Sequence, residues 1–161
     1  MKKIIVPTDF SQSALNALKI AADIASKQKA AEIHIVHVYE RPVSGITLQF
    51  EIDNKKLKEI RKHITEKMDK ICSQNFLKNI NTKVHFIVDK EVWEFIYDPK
   101  LKDADLIIMG THGIKGRSKF FMGSNTLKVV QISNIPVLII KDTLKKFDLK
   151  NIVFAFGFGE D

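Results

Sequence analysis

Residues 104–113 are ADLIIMGTHG, a short apolar run with one glycine directly behind it and another three positions later. A run of this length, bounded by turn residues, is typical of a buried strand. We predict a strand at 105–109. Glycine has no Cβ, so Gly110 and Gly113 allow the backbone to approach a ligand closely. The stretch therefore predicts a buried strand that ends in a loop suited to ligand contact.

Similar runs occur on both sides of this stretch and alternate with segments of helical period. We predict strands at 3–7, 32–39, 83–88 and 136–140, and helices at 11–27, 53–77, 91–97 and 124–132. Ser11 suits the N-cap of the first helix, and Pro99 should end the third. Short apolar strands separated by helices are typical of a parallel sheet covered on both faces. The predicted fold class is α/β: a Rossmann-like, doubly wound, five-stranded parallel sheet with helices on both faces and strand order 3-2-1-4-5.

Composition and charge narrow the class of protein. The 161 residues are 45% hydrophobic and 28% charged, which is ordinary for one globular domain. The single Cys72 and the absence of an export signal or a long apolar segment favour a soluble cytoplasmic protein. The net charge is +7, but many lysines lie in 54–70, where acidic residues alternate with them. That pattern indicates a solvated helix face, so we expect neither a nucleic-acid nor a membrane partner.

The C-terminal tail repeats a feature of the N-terminus. Residues 150–156 are KNIVFAF and echo the opening KKIIV at 2–6. We expect one domain at 1–142, followed at 143–161 by a linker and an extra strand. This strand either begins a truncated second copy of the unit or pairs at a sheet edge.

The loop behind the fourth strand carries the chemistry. Gly123 and Ser124 open the last predicted helix, whose first amides have no partner within the helix and lie at the positive end of its dipole. Such a corner binds anions. Three cations precede it: Lys115, Arg117 and Lys119. The segment therefore predicts a phosphate site.

The spacing Gly110-x2-Gly113-x9-Gly123-Ser124 resembles the nucleotide-binding motif of the ATP-binding universal stress proteins. Four further landmarks resemble that family in the same order: VPTDFS at 6–11, IVHV at 35–38, ADLIIMGTHG at 104–113 and PVLII at 136–140. The resemblance covers residues 1–142. The segment 89–103 departs from it, because the glycine that the family often carries after its third strand is missing.

The resemblance implies a site for ATP or a related adenine nucleotide, with Mg²⁺ or Mn²⁺ arriving on the phosphates. The adenine and ribose would be bordered by Pro7, Thr8, Asp9, Val38 (through its backbone), Met109 and Gly110. The phosphates would be held by Gly113, Gly123, Ser124 and Asn125. It also implies a homodimer formed through the last strand, or a second repeat in the same chain.

The expected function is a stress-response or regulatory module with at most slow ATP hydrolysis, without catalytic or metal-ligating side chains. Alternatives are a protein-interaction module that binds no nucleotide and an enzyme that activates a substrate with ATP. The Walker pattern and the Gly-x-Ser-x-Gly turn are both missing. Asp9 also suits a turn. His112 and Cys72 are expected to pack, His34 and His37 to face opposite sides of a strand, and His63 and His85 to stand alone.

Overall fold

The computed structural model describes residues 1–28, 31–40, 54–88, 90–111 and 123–141, the side chains of 54–56 excepted. Its strands are β1 (Lys3–Pro7), β2 (Glu32–Tyr39), β3 (Asn81–Val88), β4 (Leu106–Gly110) and β5 (Val137–Ile140). Its helices are α1 (Gln12–Ser26), α2 (Asn54–Cys72) and α3 (Ser124–Ile132), with 3₁₀ helices at Asn75–Leu77 and Val92–Tyr97. The predicted linker and strand at 143–161 lie outside the described residues.

The five strands form one parallel sheet in the order β3-β2-β1-β4-β5, which confirms the predicted fold class. From β1 the chain winds outward through β2 to β3, and then crosses to β4 on the other side of β1. Such a reversal opens a crevice at the carboxyl ends of the two strands beside it. The topology therefore directs attention to the ends of β1 and β4.

Two apolar layers cover the sheet. On one face, α1 and α2 pack on β1 and β2; the buried set includes Ile4, Val6, Leu18, Ile33, Ile35, Ile64 and Met68. On the other face, the second 3₁₀ helix and α3 supply Phe95, Ile96 and Val129 against Ile5, Val36 and Ile107. Fully burying one such side chain stabilises the fold by about 1.5–3 kcal/mol, so both layers contribute. Within the described ranges, no helix is long and apolar enough to cross a bilayer.

The predicted third helix is a 3₁₀ helix, and it ends where proline requires. Asp98 follows it in an extended conformation with φ −66° and ψ 123°. A residue before proline is pushed out of the helical region by the proline ring, and Pro99 supplies that ring. The capping box between Glu91 and Glu94 starts the segment.

The second helix ends five residues before its predicted end. Beyond Cys72, Ser73 Oγ and Gln74 Nε2 both donate to the carbonyl of Lys70, at 3.1 Å each. Short polar side chains compete for helix carbonyls in this way. β3 is an edge strand of the sheet, and its Val84 is 47% exposed, so the covering layers leave part of this strand in contact with solvent.

Candidate functional site

A pocket of about 380 Å³ opens at the carboxyl edge of the sheet, at the switch point between β1 and β4. Its lining comes from five places: the end of β1 with the following turn and the first turn of α1, the second half of β2, the end of β4, the start of α3, and Val92 at the start of the second 3₁₀ helix. Parallel strands end at a common edge, so segments far apart in sequence meet here.

Nine of the ten predicted site residues line this pocket: Pro7, Thr8, Asp9, Val38, Met109, Gly110, Gly123, Ser124 and Asn125. The tenth, Gly113, lies outside the described residues, as does the cationic segment at 115–119. The fold therefore brings the described members of the predicted site to one place. Their contact with a ligand stays a prediction.

The turn between β1 and α1 is held by its own side chains. The amide of Phe10 donates to Thr8 Oγ1 at 3.1 Å, and the amide of Ser11 donates to Asp9 Oδ1 at 3.0 Å. Ser11 Oγ accepts from the amide of Ala14 at 3.2 Å, which confirms Ser11 as the N-cap. Asp9 is thus a turn residue, as its alternative interpretation held, and it also lines the pocket.

The turn contains an unusual backbone conformation. Phe10 has φ 65°, which lies in the left-handed region that residues other than glycine and asparagine rarely adopt. The surrounding contacts must stabilise it, since a residue in this region costs on the order of 1–3 kcal/mol. Its ring lies 4.7 Å from the His37 ring, and Lys67 Nζ lies 5.2 Å from its centroid.

The start of α3 is built differently. Gly123 is the N-cap, and no side chain caps this helix among the described residues. The amide of Gly123 donates to the Thr111 carbonyl at 2.7 Å, which ties the helix start to the end of β4. Thr126 Oγ1 donates to the Gly110 carbonyl at 2.9 Å and adds a second tie. The positive end of the α3 dipole is thereby fixed at the pocket.

Close packing explains the glycine at the end of β4. A Cβ on Gly110 would lie 2.1 Å from Ser13 Oγ and 2.8 Å from the Ser13 carbonyl carbon. Gly110 therefore lets the first turn of α1 lie directly on β4. Sequence reasoning had assigned the same glycine to ligand approach.

His37 lines the pocket and was missed as a site residue. Its Nδ1 lies 2.8 Å from the Thr8 carbonyl oxygen; the carbonyl can only accept, so Nδ1 carries the proton. The ring lies between Phe10 and Phe86, with centroids 4.7 and 6.1 Å away. Burial lowers the pKa of His37, although the bond to Thr8 opposes this. Its position directly before Val38 was the available signal.

The expectation that His85 stands alone was wrong. His85 Nε2 lies 2.9 Å from Nδ1 of the buried His34, whose Nε2 lies 3.2 Å from Glu32 Oε2. Glu32 Oε2 also accepts from Lys83 Nζ at 2.8 Å. Burial lowers the pKa of both histidines. The pairing of β2 with β3 creates this cluster, which the separate strand sequences do not show.

Other titratable groups fit the expectation of packing or solvation. Cys72 is half-buried, and burial raises the pKa of its thiol. His34 and His37 lie on opposite faces of β2, as predicted. No group of three or more His, Cys, Asp or Glu side chains in the described part of the chain is arranged to hold a metal ion.

Fold and pocket together define a class: a doubly wound parallel α/β protein with a ligand-sized crevice at its switch point. The chain belongs to the universal stress protein family, which it matches over residues 1–141. Universal stress protein MJ0531 of Methanocaldococcus jannaschii is 32% identical over 148 residues, covering 90% of this chain and 85% of that protein.

Two solved structures extend the comparison. MJ0577 of the same organism is 29% identical, with a TM-score of 0.66 over 87% of this chain and 95% of that one. A universal stress protein in complex with cAMP is 20% identical, with a TM-score of 0.55 over 88% of this chain and 98% of that one. The second likeness shows the fold alone.

Proposed function

We propose that this chain binds ATP or a related adenine nucleotide as a stress-response or regulatory module. The observation that carries the proposal is the composition of one pocket. The pocket is lined by apolar and backbone groups of β2 and β4 and by the start of α3, which has no capping side chain among the described residues. An apolar surface beside a row of amide donors suits a ligand with a flat base at one end and phosphates at the other.

The adenosine would lie at the β1, β2 and β4 side of the pocket. Val38 is the penultimate residue of β2, and its backbone offers a donor and an acceptor to the edge of adenine. Met109 is buried at the end of β4 and supplies an apolar surface for the base. Pro7, Thr8 and Asp9 would border the ribose.

The phosphates would lie at the start of α3. The amides of Ser124 and Asn125 belong to the first turn, where no helix carbonyl is available to accept from them. Gly113 would complete this half. Mg²⁺ or Mn²⁺ would be held chiefly by phosphate oxygens and water, because polyphosphates bring their cation with them.

Hydrolysis would be slow or absent. The polar groups proposed at the phosphates are backbone amides and a hydroxyl, which bind charge but do not deprotonate water. Asp9 is the carboxylate in the lining, and one of its oxygens already accepts from Ser11. A nucleotide that stays intact suits a regulatory module.

Titration calorimetry of the full chain with ATP, ADP, AMP and cAMP tests the proposal. We expect ATP to bind and Gly123→Val to weaken ATP by at least about ten-fold, since a branched side chain at the cap crowds the donors. Leu127→Ala is the matched control, because Leu127 lies on the same helix and is 46% exposed. A flat trace for the unaltered protein would favour the nucleotide-independent interaction module.

We also propose a homodimer, or an equivalent second repeat, through β5. Among the described strands, β5 pairs only with β4, which leaves one edge for another chain. Light scattering on a sizing column checks the assembly; a monomer at all concentrations would remove it.

A further inference from the structure

We infer that His37 is the positioning residue for the adenosine half of the site, acting through its bond to the Thr8 carbonyl; this rests on the proposed function. We do not assign the ring itself a contact with the ligand. It holds the Thr8 carbonyl, and through Thr8 it sets the wall of the pocket.

Thr8 is held to β2 through both of its main-chain polar groups. The Thr8 amide donates to the Val36 carbonyl at 2.8 Å, and His37 Nδ1 donates to the Thr8 carbonyl at 2.8 Å. The first bond extends the strand pairing of β1 with β2 by one residue. The second comes from a side chain, so it is the one that a substitution can remove.

The same ring supports the strained residue of the turn. Phe10 packs on His37 at a centroid distance of 4.7 Å and has φ 65°, and Lys67 Nζ of α2 lies 5.2 Å from the centroid of the Phe10 ring. Phe86 of β3 lies parallel to the histidine ring, at an interplanar angle of 6°. An outlying backbone conformation persists only where its surroundings over-determine it. His37 supplies a hydrogen bond and a packing surface for that purpose.

Two histidine variants separate the hydrogen bond from the packing. His37→Leu removes the donor and leaves the Thr8 carbonyl unpaired. His37→Asn keeps an N–H at about the position of Nδ1, so it should restore the bond in part. His63→Leu is the control for losing a histidine, because His63 is exposed on α2.

Binding of three ligands distinguishes positioning from general damage. We expect His37→Leu to lower the affinities for ATP and for adenosine by the same factor. That factor should be about ten-fold, which is typical of losing one buried hydrogen bond. The affinity for inorganic tripolyphosphate should change by less than about two-fold, because the start of α3 would hold this ligand without Thr8. His37→Asn should recover most of the lost affinity for ATP. Parallel loss of all three ligands, or an Asn variant as weak as the Leu variant, would overturn the inference.

Amide hydrogen exchange on the ligand-free protein gives a readout that does not depend on nucleotide. We expect His37→Leu to speed exchange at Phe10 and Ser11, and His37→Asn and His63→Leu to leave it near the unaltered rate. If the unaltered protein binds no ATP, the proposed function fails by that result alone. If it binds ATP but exchange in the turn is unchanged in His37→Leu, only the positioning role fails.

Discussion

Two helices begin at the same edge of the sheet, and their first turns are satisfied in opposite ways. The turn before α1 uses Thr8, Asp9 and Ser11 to accept from three backbone amides of its own segment. The start of α3 has a glycine cap and no capping side chain among the described residues. Local side chains therefore close one helix start, and within the described residues no side chain closes the other.

The two helix starts contribute different properties to the pocket: one a fixed shape, the other a positive potential. A self-capped turn is a fixed wall, because its amides are already paired and its side chains are held. An uncapped start is a source of positive potential that a bound anion can satisfy. In the proposed function, the pocket therefore offers a rigid side to the base and ribose and an electrostatic side to the phosphates.

The largest expected effect comes from Gly110→Ala, which pushes the start of α1 away from the end of β4. The new Cβ meets Ser13 at 2.1 and 2.8 Å, and the second contact is to backbone that moves only with α1. We expect a loss of about 3 kcal/mol in the free energy of unfolding, measured by urea denaturation.

Gly123→Ala is the matched control for that substitution. Its Cβ would approach the Thr111 carbonyl oxygen at 3.2 Å, which needs a small adjustment. The free energy of unfolding should change by less than about 1 kcal/mol. Equal losses in the two variants would contradict the packing explanation for Gly110.

A second test makes α3 resemble α1. Gly123→Asp supplies a capping carboxylate and a negative charge at the helix start. Stability should stay within about 1 kcal/mol of the unaltered protein, since the cap offsets the crowding. ATP affinity should fall by more than about ten-fold, because the carboxylate occupies the amides and repels phosphate. Calorimetry that finds ATP binding intact would mean that these amides do not hold the phosphates.

The converse test makes α1 resemble α3. Ser11→Ala removes the hydroxyl that accepts from the Ala14 amide. We expect a loss of about 1 kcal/mol in the free energy of unfolding, as for other N-caps. Ser11→Asp should retain most of the stability, because it keeps an acceptor. A Ser11→Ala variant as stable as the unaltered protein would show that water replaces the cap without cost.

The smallest expected effect is a pH dependence confined to the α1 side. Burial lowers the pKa of His37 in the fold, and the groups around it are Asp9 from the turn and Lys67 from α2. The unfolded chain therefore binds more protons at His37 than the folded chain does. The contribution of His37 to the free energy of unfolding is complete above the pKa of the unfolded chain. It is lost as pH falls through the folded pKa.

His34 and His85 share this sign, so the informative quantity is the unaltered protein minus His37→Asn. That difference in unfolding free energy should shrink on acidification from neutral pH, while the hydrogen-exchange protection factors at the start of α3, corrected for the intrinsic effect of pH on exchange, stay unchanged. A difference that is flat with pH would mean that His37 does not titrate on unfolding.

Much of the fold was predictable because its signals are local. Apolar runs of strand length alternate with helical periods, and only a parallel sheet accommodates five such strands with helices between them. The boundaries were less accurate. The end of α2 depends on side chains of Ser73 and Gln74 that compete for the Lys70 carbonyl, and apolar periodicity does not register that competition.

The candidate site was predictable through its motifs, but the reasons for particular residues were not. Gly110 stands in a motif, and the structure explains it by contact with Ser13. His37 carries no sequence signature of support for Thr8, which lies 29 positions earlier in the chain. The pairing of His34 with His85 spans 51 positions and follows from the strand register alone.

The amino-acid sequence by itself determined the five strands, their order in the sheet and most of the described residues that meet at the carboxyl edge, since each follows from short-range patterns and a shared family motif. Tertiary structure decided that Gly110 packs directly against Ser13 and that His37 supports the turn before α1. Those outcomes depend on distances between segments remote in sequence, and such distances exist only once the two apolar layers have closed on the sheet.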